Sequence, residues 1–260
     1  MLRALAGGTL FGERWGESPA AVLALHGWAR THADYAPALG PGRGGPAAPD
    51  LPVLAVDLPG FGATPAPEEP WGSADYARAL VPLFGPGAEL RTPAVVVGHS
   101  FGGRVAVHLA AARPDLVAAL VLTGVPLLPR PGRRRRPPAG YRVVRTLHRA
   151  HLVGERRMER ARQRYGSPDY RNAQGVMRAV LVRVVGERYE EQLRVLRCPV
   201  ELVWADDDTE APWMVGEEVA AMVPGATLTT CPGAGHLTPL TAPEELRRAV
   251  ERATARTAAS

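Results

Sequence analysis

Residues 94–112 read AVVVGHSFGGRVAVHLAAA. Ala94–Val97 is a short β-branched run suited to a buried strand, and Phe101–Ala112 carries apolar residues at helical spacing. Between them stands Gly98-His99-Ser100-Phe101-Gly102-Gly103, a G-x-S-x-G pattern that leaves no room for a loop. A serine in such a strand-to-helix turn is held above the sheet at a helix N-terminus, where the dipole favours developing negative charge. The flanking glycines permit a strained turn and close approach of neighbouring chains. The competing reading is a Gly/Ser turn that merely feeds a helix. The strand–turn–helix setting favours a nucleophile elbow.

Outward from this turn the same alternation recurs. Apolar runs at Ala20–His26, Val53–Val56, Ala119–Leu122, Val200–Trp204 and Ala226–Thr230 read as strands. Helical patterns lie at Ser73–Phe84, Pro212–Met222 and Pro243–Ala253. Near-continuous apolar strands alternating with helices imply a twisted, mostly parallel sheet covered by helices on both faces. Leu2–Ala6 and Thr9–Trp15, split by Gly7-Gly8, suggest an antiparallel hairpin at one edge. Gly40–Pro52 reads as a surface loop and Thr254–Ser260 as a frayed tail.

The alternation breaks once, after Val121–Val125. From Leu127 to Arg197 the pattern is helical: Val176, Met177, Val180, Leu181, Val184 and Val185 fall on one apolar face. Tyr141, Val144, Leu147 and His148 give a shorter version, and Pro129–Pro138 reads as the linker into the block. Residues 127–197 are therefore expected to be a helical insertion after the sixth strand of a single domain spanning 1–260. Charge marks the same block. It holds 19 Arg and 6 acidic residues, a balance of +13 in a chain whose net charge is +5 and which contains no Lys.

With 260 residues, 46% hydrophobic and 22% charged, the chain has globular composition and can bury one sizeable core. No apolar run approaches the roughly 18–20 residues of a membrane-spanning helix. The first 16 residues lack the apolar core of a secretory signal. Cys198 and Cys231 are too few for a disulfide framework or a cysteine-based zinc site. A soluble, reduced, cytoplasmic protein without a metal or other cofactor is the expectation. Oligomeric state has no signature here.

Taken together, four segments resemble the α/β-hydrolase family. They are Leu25-His26-Gly27-Trp28, Val56-Asp57-Leu58-Pro59-Gly60-Phe61-Gly62, the elbow, and Gly233-Ala234-Gly235-His236. Their order and spacing match that family over nearly the full chain, and the helical insertion falls where members carry a cap. The resemblance implies an α/β-hydrolase fold and a Ser-acid-His order of catalytic groups.

A serine hydroxyl is a weak nucleophile and needs a base. His236, in a Gly-rich loop after the last strand, suits that role by position and by the family order. The family pattern W-G-x-x-D-x-x-x-P resembles Trp204–Pro212 and selects Asp208 as the acid, with Asp207 or Asp206 as fallbacks; Ala205 replaces the usual Gly. The two acids not chosen would form a solvated turn. Some relatives carry the acid one strand earlier, but Thr123-Gly124-Val125 offers no carboxylate there. The backbone N–H groups of Phe101 and of Trp28 are the expected oxyanion donors. His26, Gly27, Trp28, Phe101, Met177 and Leu181 are the candidate pocket residues. His32 is a pocket or surface residue, Asp57 a structural one, and Arg30, Asp34 and Tyr35, which follow the oxyanion loop, are expected at the surface ahead of the pocket border.

These residues point to a serine hydrolase of a small ester, thioester or related carbonyl compound, working through an acyl-enzyme on Ser100. Carbon–carbon bond hydrolysis of a diketone-like substrate would use the same triad. A catalytically weak ligand-binding protein on the same scaffold is the reading from another class. For the arginine block, including Arg133–Arg136, a solvated cap surface ranks first and an anion-steering rim for a carboxylate or coenzyme-A ester second. Nucleic-acid binding ranks last, because aromatic stacking partners are sparse there, so no nucleic-acid partner is expected.

Overall fold

The computed structural model describes residues 1–42, 51–129 and 138–258. Eight strands form one sheet: β1 (Leu2–Leu5), β2 (Leu10–Trp15), β3 (Ala20–Leu25), β4 (Val53–Asp57), β5 (Leu90–His99), β6 (Val117–Thr123), β7 (Val200–Ala205) and β8 (Thr227–Cys231). Their spatial order is β1-β2-β4-β3-β5-β6-β7-β8. The β1–β2 hairpin pairs antiparallel with itself and onto β4, and all other pairs are parallel. Each apolar run of the sequence is a strand within a few residues of its expected ends.

The helices are α1 (Ala36–Leu39), α2 (Ser73–Leu80), α3 (Phe101–Ala112), α4 (Ala139–Arg149), α5 (Glu155–Tyr165), α6 (Pro168–Asn172), α7 (Gly175–Val185), α8 (Glu190–Val195), α9 (Trp213–Met222), α10 (Thr238–Thr241) and α11 (Pro243–Ala258). Side chains alternate across a strand, so every central strand feeds two cores. Leu23, Leu25, Val96, Leu120 and Leu122 pack with Val105 and Leu109 of α3 and with α2, α8 and α9. Val22, Ala24, Val95, Val97 and Val121 pack with Leu246, Ala249 and Val250 of α11 and with α1. That two-sided burial is why these strands read as continuous apolar runs.

Two expectations change here. The α2 segment yields to a short 3₁₀ turn at Val81–Leu83, because Pro82 cannot donate to a continuing helix. The tail is helical through Ala258 rather than frayed from Thr254. Arg252 and Arg256 of α11 reach the buried carboxylate of Glu201 on β7 at 2.8 and 3.2 Å, which fastens that last stretch to the sheet.

Among the described residues, five helices, α4–α8, lie between β6 and β7. Val180, Leu181 and Val184 of α7 are buried, and Leu193 of α8 joins the core against α3. The Arg133–Arg136 run, most of the expected linker and residues 43–50 lie outside the described residues. Arg142, Arg149, Arg156, Arg157 and Arg160 are exposed.

Candidate active site

The elbow forms where the sequence puts it. Ser100 has φ 48° and ψ −110°, a conformation that L-residues rarely adopt. The turn is held because Ser100 N–H donates to the Thr123 carbonyl at 3.0 Å while its own carbonyl accepts from Arg104 N–H. Gly98 and Gly102 are required by close approach: a Cβ on the first would overlap Gly103 Cα, and one on the second the Leu25 carbonyl.

Asp208 follows β7 and His236 follows β8, at the same end of the parallel strands as Ser100 after β5. His236 Nδ1 meets Asp208 Oδ2 at 2.8 Å, and His236 Nε2 meets Ser100 Oγ at 3.1 Å. Ionised Asp208 only accepts, so Nδ1 carries the proton and the Nε2 lone pair faces the serine hydroxyl. The Asp208 side chain is fully buried, and its other oxygen accepts from Glu210 and Ala211 N–H at 2.7 and 2.9 Å. Trp204 Nε1–H donates to the Ala211 carbonyl and pins that turn to β7. The alternative acid position after β6 is spatially adjacent. Gly124 there has φ 56°, and a Cβ on it would lie 3.1 Å from Asp208 Oδ2 and 3.2 Å from His236 Nδ1.

The fallback acids are exposed in the turn, as expected, and each also takes a backbone N–H of the His236 loop. Asp206 accepts from Gly233 N–H at 2.9 Å and Asp207 from Gly235 N–H at 2.7 Å. Glu210, which the sequence reading missed, brings Oε2 to 3.4 Å from His236 Nε2 while remaining 62% exposed. Its distance of two residues from Asp208 was the available signal.

Leu58 N–H donates to His26 Nε2 at 2.9 Å, so the proton sits on Nδ1 and goes to the Gly27 carbonyl at 2.7 Å. Burial pushes the His26 pKa down to about 4. His26 is thus a fully buried strut between the β3 and β4 loops and does not line the cavity beside Ser100. Gly27 passes beside the elbow, where a Cβ would sit 2.7 Å from His99 Nδ1 and 3.5 Å from Ser100 Cβ. His99 is buried, its Nε2–H donates to the His236 carbonyl at 2.8 Å, and burial first, then the His236 charge, lowers its pKa to about 4.

A cavity of about 790 Å³ opens onto Ser100. Trp28 and Phe101 wall one side, packed edge to face at 5.5 Å, and Leu127, Leu181 and Val184 wall another. Met177, expected in this wall, instead covers the backbone of Gly60, where its side chain fills the space of a Cβ. Arg104, Glu187, Arg188, Asp169 and Glu210 supply charge around the apolar surface. Phe101 N–H and Trp28 N–H donate to no backbone acceptor among the described residues.

Two surface expectations are corrected. Tyr35 is fully buried and donates to the Leu25 carbonyl at 2.8 Å, and Asp34 is buried with Arg30 on it through two bonds of 2.6 and 2.7 Å. His32 bonds buried Asp57 through N–H and Nδ1, each at 2.8 Å. Burial alone would raise the Asp57 pKa, but hydrogen bonds from His32 and Ala63 hold it below the ordinary value.

A sequence model described as the alpha/beta hydrolase family matches residues 22–249. The chain belongs to the α/β-hydrolase family. A pimeloyl-[acyl-carrier protein] methyl ester esterase of Chromobacterium violaceum is 32% identical across 93% of this chain and 96% of its own length. Lipase LipV of Mycobacterium tuberculosis is 43% identical, with the match spanning 42% of this chain and 39% of that lipase. Among solved structures, a thermophilic esterase from Thermogutta terrifontis superposes with a TM-score of 0.70 at 21% identity, covering 99% of both chains. That last likeness concerns the α/β-hydrolase fold alone. Among the described residues, no helix is long and apolar enough to cross a membrane.

Proposed function

We propose that this α/β-hydrolase cleaves small carboxylic esters through an acyl-enzyme on Ser100. The observation that carries the reading is the continuous row Ser100 Oγ–His236 Nε2 and His236 Nδ1–Asp208 Oδ2, at 3.1 and 2.8 Å, on an elbow with φ 48°. Ester-cleaving relatives named above, one of them matched end to end, support the ester linkage. A thioester would follow the same steps with a thiol as leaving group.

Ser100 Oγ attacks the acyl carbon while its proton passes to His236 Nε2. Asp208, acceptor-only and buried, holds Nδ1–H and stabilises the imidazolium without taking the proton. The carbonyl oxygen becomes an oxyanion facing the Trp28 and Phe101 N–H groups, donors of a kind worth roughly 10²–10³ each in rate. The carbon–oxygen bond to the leaving group breaks, and Nε2 returns the proton to the departing alcohol. Water, deprotonated by the same nitrogen, then attacks the acyl carbon; the bond to Ser100 Oγ breaks, Nε2 returns the proton to that oxygen, and the acid leaves. We further read residues 127–197 as a cap whose α7 contributes Leu181 and Val184 to the substrate cavity.

Intact mass after treatment with a fluorophosphonate tests this. Ser100 Oγ displaces fluoride from phosphorus, so the wild type is expected to gain one adduct, and Ser100→Ala and His236→Ala none. Adduct formation on Ser100→Ala would sink the assignment, and no adduct on wild type would favour a binding protein with the same fold.

A further inference from the structure

Two exposed carboxylates beside the acid have no place in the mechanism above, yet each holds the loop that carries His236. We infer that Asp206 and Asp207 are positioning residues for His236, an assignment that rests on the proposed roles of Ser100, His236 and Asp208. The loop contains Gly233 and Gly235, both at positive φ (65° and 63°). Glycine backbone there has many conformations of similar energy, so the loop's own sequence does not fix where His236 stands. The fixing comes from the preceding turn. Three successive side chains meet three points of the loop: Asp206 Oδ1 takes Gly233 N–H at 2.9 Å, Asp207 Oδ1 takes Gly235 N–H at 2.7 Å, and Asp208 Oδ2 takes His236 Nδ1–H at 2.8 Å.

The turn is a rigid mount. Asp208 Oδ1 accepts two backbone N–H groups, and Trp204 Nε1–H ties Ala211 to β7. From the other side, His99 Nε2–H holds the His236 carbonyl. Carboxylate-to-amide bonds are among the stronger hydrogen bonds, because the acceptor is charged. Releasing Gly235, the residue next to His236, frees the ring to drift from the serine, and a misplacement of about 1 Å costs on the order of 100-fold in rate. Asp207 is accordingly the stronger of the two restraints and Asp206 the outer one.

The test is the second-order rate constant and final extent of fluorophosphonate labelling for wild type, Asp207→Ala, Asp207→Asn, Asp206→Ala/Asp207→Ala and Ser100→Ala. Asp207→Ala and the double variant are expected to react about tenfold or more slowly, yet still reach one adduct per chain. Asp207→Asn keeps an oxygen acceptor for Gly235 N–H and is expected within about threefold of wild type. With p-nitrophenyl acetate as substrate, the loss in Asp207→Ala should fall on kcat and leave KM unchanged. A wild-type rate in Asp207→Ala overturns the inference. So does an asparagine variant as slow as the alanine one, or a reduced extent with an unchanged rate constant, which is the mark of a purely structural role. Should Asp207→Ala not fold, Asp207→Ser, too short to reach Gly235, serves the same comparison. Labelling of Ser100→Ala would instead overturn the underlying triad.

Discussion

Arg104 Nη1 donates to the carbonyl of Val184 at 2.9 Å, which joins the first turn of the elbow helix to the last turn of α7. The same guanidinium donates from Nη2 to Pro126 at 2.9 Å and lies over the Tyr189 ring. One cation at the C-terminal end of α7 therefore ties together the elbow helix, the β6 exit and the inserted helices, where a helix dipole welcomes positive charge. Arg104→Met leaves two carbonyls unpaired and is expected to cost about 3–6 kcal/mol, since bonds to charged groups contribute about 1.5–3 kcal/mol each. Arg104→Lys, a point charge that cannot span both carbonyls, should recover only part of it. Urea unfolding midpoints measure both, and equal midpoints for all three proteins would contradict the tie.

Gly124 separates the main chain from the Asp208–His236 pair by the width of a missing methyl group. Gly124→Ala puts a Cβ at 3.1–3.2 Å from both partners and forces φ 56° on an alanine. A backbone cost of about 1–2 kcal/mol is expected, together with a loss of ester-hydrolysis kcat of about tenfold or more as the pair shifts. Steady-state kinetics beside a denaturant titration separates the two effects.

Stability should fall as pH drops from about 6.5 to about 4. His26 and His99 stay neutral in the folded protein down to about pH 4, whereas in the unfolded chain they take up protons near 6.5. Above 6.5 neither state is protonated there and nothing is lost. Between the two values the unfolded chain alone gains protons, which favours it by up to about 3 kcal/mol per ring. Below about 4 both states are protonated and the slope ends. Asp57, whose pKa is lowered, contributes its own loss only below the usual carboxylate range. Urea midpoints at pH 7, 6, 5 and 4.5 give the curve, and a flat one would contradict the buried neutral pair.

Glu210 puts a carboxylate beside His236 Nε2, at the rim of the cavity. A substrate with a negative acyl group would meet like charge there. Glu210→Gln should raise kcat/KM for mono-p-nitrophenyl succinate by about two- to tenfold relative to p-nitrophenyl butyrate, the range a partly exposed charge supports. An unchanged ratio would place the substrate away from Glu210.

The sheet was legible because two-sided burial leaves a compositional trace. Val53–Asp57 and Val200–Ala205 are buried at every position, and their sequences read that way. The row of Ser100, Asp208 and His236 was legible because each follows a strand end and because the family resemblance singled out Asp208 among three adjacent acids. What was hidden depends on contacts far apart in sequence. Within the expected helical block the bounds of α5 were not marked, because ERRMERARQRY buries only Met158 and Ala161, too little for an apolar stripe. Arg256, read as part of a tail, reaches a glutamate buried 55 residues earlier. The bonds of Asp206 and Asp207 to the His236 loop were hidden because their partners are backbone N–H groups, and a backbone donor has no residue type to recognise.

The elbow conformation of Ser100 carries a consequence for how mutation trades one property against another. A φ of 48° with ψ −110° is ground that glycine occupies freely and serine does not, and such strain is typically about 1–3 kcal/mol. Ser100→Gly should therefore raise the unfolding midpoint while abolishing turnover. In a population selected for durability alone, this position would drift to glycine; only the reaction retains the hydroxyl there.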